Sequence, residues 1–406
     1  MLVPKLRFKR EDGTDYPEWE QTSLEDVCDI VGGGTPSTKN IDYWNGNIQW
    51  FTPSEIGKTK YVSKSVRTIS QVGFEKSSAR KLPVGTILLT SRATLGEMAI
   101  ATIECTTNQG FQSLIPRRIN GEYLYYLQPT IKNYCNKKAC GSTFNEISKG
   151  ELGKCKIPMP HFEEQQKIAG FLSTVDEVIT QSEAEVQNLE QQKKSAMQKI
   201  FSQELRFKRE DGTDYPEWEE KALSDISEFI TKGTTPKKYS ENGGVNFVQI
   251  NSIVDGAINT DKCLRIDEET HNGFLSRSVL FENDILCSIA GALGVIAVVN
   301  KDVLPANTNQ ALAIIRLNEG CNHRYIAFAL SSYVMEKYIK QCKTVGAQPN
   351  LSLAQIRDMI VPFPCLKEQQ KIADFLSAYD EAISYAKQEL DKWKELKKGL
   401  LQQMLV

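Results

Sequence analysis

Side chains that could carry catalysis are few in this chain. The histidines His161, His271 and His323 lie far apart in the sequence, so a histidine-based acid–base mechanism or a zinc site has little to build on. The ten cysteines are scattered without a CxxC pair, which favours reduced core thiols over a metal site or a disulfide framework. The sequence contains no phosphate-binding P-loop, no GxSxG nucleophile elbow and no Asn/Asp-Pro-Pro-aromatic segment of an amino-methyltransferase. We therefore predict no catalytic centre, no metal and no cofactor held by this chain.

Polar and basic side chains that could contact DNA are instead grouped in short loops that occur twice. Phosphate contacts need Lys and Arg, whereas base contacts use Arg, Lys, Asn, Gln, Ser and Thr at exposed positions. The candidates in the first half are Thr35, Ser37, Lys39, Tyr43, Trp44, Ser91, Arg92, Thr94, Asn108 and Gln109. The candidates in the second half are Thr234, Thr235, Lys237, Lys238, Tyr239, Gln249, Asn251, Ser252, Asn309 and Gln310. By composition alone, a solvated loop explains any one of them better than base contact does.

The chain is a tandem duplication with a domain-sized period. The string LRFKREDGTDYPEWE occupies residues 6–20 and recurs unchanged at 205–219. The segment EEQQKIAGFLSTVDEVIT at 163–180 matches KEQQKIADFLSAYDEAIS at 367–384 in 12 of 18 positions, and a Pro-x-Pro precedes each. Between these framing segments the two copies diverge. Identical frames around unlike interiors indicate one scaffold that carries two independent specificities.

Two long amphipathic helices are predicted after the Pro-x-Pro pairs. Apolar residues recur in alternating steps of four and three, a periodicity typical of a coiled coil. The seam consists of Ile168, Leu172, Val175, Ile179, Val186, Leu189 and Ile200, and of Ile372, Leu376, Tyr379, Ile383, Leu390, Trp393, Leu400 and Met404. At 1.5 Å per residue, the first seam is roughly 48 Å long, which exceeds one turn of B-DNA at roughly 34 Å. The alternative is that each helix packs on its own domain as an ordinary surface helix.

Composition and charge narrow the class of protein. The length of 406 residues fits two or three domains, with 40% hydrophobic and 25% charged residues as in ordinary globular proteins. A net charge of −2 argues against a wholly basic DNA binder, although residues 21–155 hold 16 Lys and Arg against 11 Asp and Glu. No apolar run approaches the roughly 18 residues of a membrane span, and the first residues lack a signal-peptide hydrophobic segment. We therefore expect a cytoplasmic protein without membrane contact.

The expected fold class is α+β. Short β-branched runs between Gly, Pro and Asn breakers predict two tandem domains with curved, mixed sheets. The two helices are expected to form an antiparallel coiled coil that separates these domains in a pseudo-two-fold internal repeat. The predicted segments are 1–160 with the box 6–20, the first helix at 161–204, 205–364 with the repeated box 205–219, and the second helix at 365–406.

This arrangement resembles the specificity subunit of type I restriction–modification systems. The resemblance is carried by Pro158–Leu172 and Pro362–Leu376, by GTP at 34–36 and TTP at 234–236, and by the NQ pairs at 108–109 and 309–310. The stretch GAQPNLSL at 346–353 is similar to the turn that precedes the Pro-x-Pro in this family. The corresponding stretch GSTFNEIS at 141–148 departs from that pattern.

The resemblance implies that 1–160 and 205–364 are target-recognition domains, each recognising one half of a bipartite, asymmetric site in double-stranded DNA. It implies that the helices set the spacer and dock two methyltransferase subunits, which bind S-adenosylmethionine and methylate adenine. Restriction/translocase subunits would add ATP- and Mg-dependent translocation and cleavage, so that all catalysis lies in partners. Two alternatives stay open: a single-chain methyltransferase or nuclease, and a coiled-coil scaffold that binds only proteins.

Overall fold

The computed structural model describes residues 4–140, 145–342 and 350–405. The chain forms two compact units, unit 1 (Met1–Glu183 with Gln388–Val406) and unit 2 (Ala184–Lys387). The division lies inside two long helices, so each unit contains the beginning of one long helix and the end of the other. The predicted GSTFNEIS and GAQPNLSL stretches fall partly outside the described residues, at 141–144 and 346–349.

Unit 1 contains ten strands among its described residues, most of them short. They are β1 (Glu20–Ser23), β2 (Cys28–Gly32), β3 (Trp44–Phe51), β4 (Tyr61–Val62), β5 (Arg67–Ile69), β6 (Ile87–Leu89), β7 (Met98–Ala101), β8 (Thr106–Thr107), β9 (Gln112–Pro116) and β10 (Lys156–Met159). They form a five-stranded sheet in the order β2-β9-β6-β7-β4, a three-stranded sheet β5-β3-β8 and the pair β1-β10. Strands β6 and β7 are apolar runs with every residue buried, as expected for strands covered on both faces.

Unit 2 has a related set of strands, divided among four sheets instead of three in the described residues. Its strands are β11 (Glu219–Ala222), β12 (Ser227–Lys232), β13 (Val245–Val248), β14 (Ile253–Val254), β15 (Ala257–Ile258), β16 (Leu264–Ile266), β17 (Ile285–Ser288), β18 (Ile296–Val298), β19 (Ala306–Thr308), β20 (Leu312–Leu317) and β21 (Ile360–Phe363). The sheets are β12-β20-β17-β18, β16-β13-β19, β14-β15 and β11-β21. Most pairs are antiparallel, and β3·β8, β4·β7 and β13·β19 are parallel, so the expected mixed sheets are present.

The helices between the strands are short, whereas the two helices that follow β10 and β21 are long. They are α1 (Leu24–Val27), α2 (Gln71–Glu75), α3 (Gly121–Tyr126), α4 (Gln128–Lys138), α5 (Lys149–Gly153), α6 (Phe162–Phe201), α7 (Leu223–Ile226), α8 (Glu268–Asn272), α9 (His323–Leu330), α10 (Tyr333–Cys342), α11 (Leu353–Arg357) and α12 (Leu366–Met404). Single 3₁₀ turns lie at Ile41–Tyr43, Pro53–Glu55, Ile250–Ser252, Thr260–Lys262, Ser276–Ser278 and Lys301–Val303. In the described part of the chain, no helix has both the length and the apolar content to cross a bilayer.

The beginning of each long helix is held by the repeated box. Glu164 on α6 is fully buried and accepts hydrogen bonds from Arg7 Nε (3.0 Å), Arg7 Nη2 (2.8 Å) and Trp19 Nε1 (3.0 Å). The hydrogen bond to Glu164 raises the pKa of Arg7. These three groups satisfy the buried carboxylate, which would otherwise be costly to remove from water.

The same clamp occurs in unit 2, where Glu368 on α12 accepts from Arg206 and Trp218. The distances are 3.3 Å from Arg206 Nε, 3.1 Å from Arg206 Nη2 and 2.9 Å from Trp218 Nε1. The unchanged box sequence therefore has an unchanged structural role in each unit.

The long helices contribute to both cores. In unit 1, Ile168 and Leu172 of α6 share a core with Met404 of α12. In unit 2, Ile200 of α6 shares a core with Ile372 and Leu376 of α12. In each unit, the beginning of one long helix thus packs beside the end of the other.

No seam residue is fully exposed in the structure. Ten seam residues are buried, and Ile179, Leu189, Tyr379, Trp393 and Leu400 are half-buried. Two lysines on the long helices form ion pairs across the helix pair of their own unit, Lys397 with Asp176 in unit 1 and Lys193 with Asp380 in unit 2, each with an N–O distance of 2.5 Å. These two charges are therefore neutralised within their units.

Most of the cysteines that the structure describes are buried in the core. Burial raises the pKa of Cys28, Cys105, Cys155 and Cys287 to about 12. At neutral pH these side chains are un-ionised thiols that pack as small apolar groups.

Candidate nucleic-acid interface

A parallel strand pair positions the candidate loops of unit 1. Strands β3 and β8 run side by side with Phe51 opposite Thr107, so the segments that follow them leave the same edge of the sheet. The Asn108 amide donates to the Phe51 carbonyl (3.0 Å), and the Asn108 side chain accepts from the Gly110 amide (2.8 Å). The NQ pair is therefore held in a tight turn beside the 3₁₀ turn Pro53–Glu55.

The GTP loop lies directly against this NQ turn. The Gly34 amide donates to the Thr107 carbonyl (2.9 Å), and Thr35 Oγ1 donates to Gln109 Oε1. A Cβ on Gly33 would lie 2.0 Å from the Asn108 carbonyl oxygen, so only glycine permits this approach. Two motifs separated by over seventy residues thus form one surface.

Unit 2 builds the same arrangement from its own residues. Strands β13 and β19 are parallel with Val248 opposite Thr308, and the Thr234 amide donates to the Thr308 carbonyl (2.9 Å). Thr235 Oγ1 donates to Gln310 Oε1, as Thr35 does to Gln109. A Cβ on Gly233 would lie 2.1 Å from the Thr308 carbonyl oxygen.

Replacing Gly33 with alanine should displace the GTP loop from the NQ turn. Over-packing of this kind costs about 1–3 kcal/mol, because the backbone of the loop must move. The matched control is Gly32→Ala, since the nearest atom to a Cβ there lies at 3.7 Å. Urea unfolding and a DNA gel shift of both variants should show a defect for Gly33→Ala alone. Equal behaviour of the two variants would show that the close packing is unimportant.

In each unit a third turn, at 91–96 in unit 1 and 289–294 in unit 2, lies beside the NQ turn. We call the GTP or TTP loop, the NQ turn and this third turn together the loop cluster. The Ser91 amide donates to the Gly110 carbonyl (2.7 Å), and the Ile289 amide donates to the Ala311 carbonyl (2.8 Å). In unit 1 this turn contains Ala93, a non-glycine residue at φ 59°, in the left-handed region that favours glycine. The third turn therefore packs against the NQ turn in both units.

The segment before each Pro-x-Pro docks on this third turn. The Ile147 amide donates to the Ser91 carbonyl (3.2 Å), and the Leu351 amide donates to the Ile289 carbonyl (2.9 Å). Arg92 pairs with Glu146 at 2.9 Å, so its charge is partly neutralised within the loop cluster. The described parts of GSTFNEIS and GAQPNLSL thus lie beside the candidate loops.

The structure corrects the expectation that all candidate side chains are exposed. Trp44, Ser91 and Ser252 are buried. Trp44 packs on Trp50, the backbone of Ser91 bonds to Gly110 and Ile147, and Ser252 Oγ donates to the Lys262 carbonyl. The exposed candidates are Ser37, Lys39, Thr94, Gln109, Thr235, Lys237, Lys238, Tyr239, Asn251 and Gln310. The half-buried candidates are Thr35, Tyr43, Arg92, Thr234, Gln249, Asn108 and Asn309.

Sequence reasoning missed two arginines beside the GTP loop. Arg67 lies on β5, and its guanidinium stacks on Trp44. Arg80 is exposed and follows Ser78 and Ala79, whose backbone packs against Gly34. Neither arginine lies in a motif, so only the packing of Gly34 and Trp44 reveals them. With Lys39 they give the loop cluster of unit 1 three exposed cations, a composition suited to phosphates and base edges.

Comparison with known proteins identifies the family. Each of the two units carries the same arrangement of loops on an α+β framework. The family described as type I restriction modification DNA specificity domain matches residues 16–191 and 215–394. The chain belongs to this family, and the resemblance inferred from its repeated frames is confirmed. Specificity subunits of type I systems are non-catalytic, which also confirms the expectation that this chain is not an enzyme.

Relatives at the sequence level carry the same family description, and solved structures share the fold. The chain is 29% identical over 420 residues to the type I restriction enzyme MjaIX specificity subunit of Methanocaldococcus jannaschii, covering 99% of this chain and 96% of that protein. Its fold is similar to the S subunit of the type I system of M. genitalium, with a TM-score of 0.61 and 17% identity over 100% and 99% of the two chains. A second solved chain, described in terms of complex assembly and conformational transition of the type I R-M system, has a TM-score of 0.60 and 18% identity over 95% and 97%.

Proposed function

We propose that this chain is the DNA-specificity subunit of a type I restriction–modification complex, acting in the cytoplasm. Each unit recognises one half of a bipartite, asymmetric target in double-stranded DNA through its loop cluster. The chain binds DNA together with two methyltransferase subunits and restriction/translocase subunits. S-adenosylmethionine, ATP and Mg belong to those partners, and this chain supplies only recognition and assembly.

The observation that carries this proposal is a shared backbone framework with unlike exposed side chains. Thr35–Gln109 and Thr235–Gln310 are equivalent hydrogen bonds, but the GTP loop continues with Ser37 and Lys39 whereas its counterpart continues with Lys237, Lys238 and Tyr239. Since base recognition depends on which side chains reach the groove edge, the two units are expected to recognise different half-sites.

The long helices are proposed to form an antiparallel coiled coil that fixes the spacer between the half-sites. Helices α6 and α12 are continuous over 40 and 39 residues, and their seam residues are buried or half-buried. Each unit alone would bind weakly, mostly through salt-sensitive phosphate contacts. Stiff linkage makes the second contact intramolecular, which raises the effective concentration of the second unit at one spacer length.

The exposed faces of the same helices are proposed to dock the methyltransferase subunits. Most exposed positions on α6 and α12 are Gln, Glu or Lys, but Tyr385 and Leu396 on α12 are 67% and 48% exposed. Large apolar side chains in a polar surface are typical of a protein-binding face.

Exchange of one recognition region tests the proposal. The chain is produced in cells with its methyltransferase partner, and methylated sites are mapped by sequencing of modified bases. Wild type should give a two-part motif with a fixed gap. A variant in which residues 21–157 also replace residues 220–361 should give the first half-site twice, in inverted orientation.

The repeated framing residues make this exchange conservative. Strands β1 and β10 pair in the same register as β11 and β21, with Ile157 and Val361 in equivalent positions, so both ends of the graft keep their partners. A single continuous motif for wild type, or an unchanged second half-site in the exchanged variant, would refute the proposed division of labour.

A further inference from the structure

Two buried tryptophans hold the GTP loop of unit 1 through hydrogen bonds to its backbone. The rings of Trp44 and Trp50 meet edge to face, with centroids 5.0 Å apart and planes at 85°. Trp50 Nε1 donates to the Gly34 carbonyl (2.8 Å), and Trp44 Nε1 donates to the Ser37 carbonyl (3.2 Å). Both indole N–H groups therefore bond to the backbone of the GTP loop and hold in place the segment that carries Thr35 and Ser37.

Arg67 lies with its guanidinium over the ring of Trp44 and near that of Trp50. Its guanidinium carbon is 3.7 Å from the Trp44 ring centroid and 5.8 Å from that of Trp50. Its backbone is fixed by pairing opposite Trp50 in β3 and by a hydrogen bond from Ser65 Oγ to its carbonyl (2.6 Å). A stacked guanidinium keeps its N–H groups in the plane of the fork, where they can still donate.

The charge of Arg67 is not neutralised by an ion pair among the described residues. The residue is exposed, and in the described ranges no carboxylate forms an ion pair with it. By contrast, Arg92 pairs with Glu146 and Lys132 pairs with Glu97 in the same unit. Arg67 is thus an oriented cation with free donors, placed beside the loop that carries Thr35 and Ser37.

One exposed apolar side chain is adjacent to Arg67 in the sequence, and another lies in a 3₁₀ turn that accepts a hydrogen bond from Ser70, just after β5. Val66 precedes Arg67 and is 86% exposed, and Ile41, in the 3₁₀ turn before Trp44, is 78% exposed. Such side chains gain little from water, but they can contact the methyl group of thymine in the major groove. The surroundings of Arg67 therefore fit a base edge better than a phosphate alone.

Unit 2 has a different cation on a different ring near its own loop. Lys237 Nζ lies 5.5 Å from the centroid of Phe274, a ring that is 55% exposed. A lysine is a flexible point charge, whereas a stacked arginine offers two parallel donors in a fixed plane. The two units therefore differ in the kind of contact that their supported cation can make.

We propose that Arg67 is a specificity-determining residue of unit 1 that recognises a guanine through its O6 and N7 atoms. Strand register places Leu264 of β16, which carries no charge, at the position in unit 2 that Arg67 has on β5 in unit 1. Lys237, which directly follows the TTP motif, contacts a phosphate and specifies no base. This assignment rests on the proposed DNA-recognition function, and it names one residue and one base in the half-site of unit 1.

Methylation mapping with the methyltransferase complex tests the assignment. Arg67→Gln and Arg67→Lys should both relax one guanine position in one half-site, with discrimination at that position falling about 10–100-fold. Arg67→Lys keeps the charge, so overall affinity for non-target DNA should be retained. The matched control is Arg118→Gln, an exposed arginine after β9 that should leave the motif unchanged.

Lys237→Gln separates base recognition from charge. It should weaken binding to all sequences and reduce the slope of log affinity against log salt by about one, with no change in the motif. An unchanged motif in both Arg67 variants, or relaxation at a base other than guanine, would overturn the assignment while the proposed function stands. If wild type itself gives no bipartite motif, both fail together.

Discussion

Replacing Glu164 with alanine is expected to destabilise unit 1 by about 3–5 kcal/mol, the usual cost of removing one partner of a buried ion pair. Glu164 is fully buried, and its loss leaves the Arg7 guanidinium and the Trp19 indole N–H without their acceptor. Because the Arg7 side chain keeps 21% of its surface exposed, water can partly solvate the guanidinium, so a loss near the lower limit is expected. Urea unfolding followed by circular dichroism measures the change.

The repeat supplies a matched variant for this experiment. Glu368→Ala removes the same acceptor from Arg206 and Trp218 in unit 2 and should cost a similar amount. Glu177→Ala, on the exposed face of α6, is the control and should change stability by less than about 0.5 kcal/mol. If Glu164→Ala unfolds at the same urea concentration as Glu177→Ala, the clamp does not hold the helix.

Inserting four residues into both long helices, after Gln187 and after Gln388, is expected to change the spacer of the DNA target. Both sites are exposed, and four residues add close to one helical turn. The insertion is a stutter that locally unwinds the helix pair, but it leaves the apolar stripes on either side of it on nearly the same helix face. The added length of roughly 6 Å corresponds to about two base pairs at 3.4 Å each. Methylation mapping should therefore show both half-sites unchanged and the gap altered.

Point substitutions at the same places provide the control. Gln187→Ala combined with Gln388→Ala changes the helix surface but not its length, and the gap should stay as in wild type. A gap that is identical in the insertion variant and in wild type would contradict the proposal that the helices set the spacer. Loss of all methylation with intact half-site binding would point to failed methyltransferase docking, which is also contrary to the expected result.

Much of the framework followed from local patterns in the sequence. The long helices were expected at 161–204 and 365–406, and the structure has them at Phe162–Phe201 and Leu366–Met404. Helical periodicity is a local property, because every apolar residue on one face adds to the same signal over many turns. The GTP, TTP and NQ motifs were likewise visible as short strings, although nothing in the strings showed that they touch.

The candidate site could be predicted only in part. The sequence favoured Trp44 as an exposed residue in a polar loop, but packing against Trp50 buries it and turns it into the support for Arg67. Arg67 lies in the segment SVRTI, which contains no motif, so its importance follows only from the ring beneath it. The role of the repeated box was also hidden, since Arg7 and Glu164 are 157 residues apart in the chain.

The sequence by itself determined the duplication, the two helical stripes and the absence of known catalytic motifs. These are features of residue order and spacing, which remain the same in any conformation. Only the tertiary structure decided which carboxylate accepts the hydrogen bonds of Arg7 and which aromatic ring lies under the Arg67 guanidinium. It also decided which loop meets the NQ turn. Those contacts depend on strand pairing between distant segments, and the free energy of such pairing is a property of the folded chain as a whole.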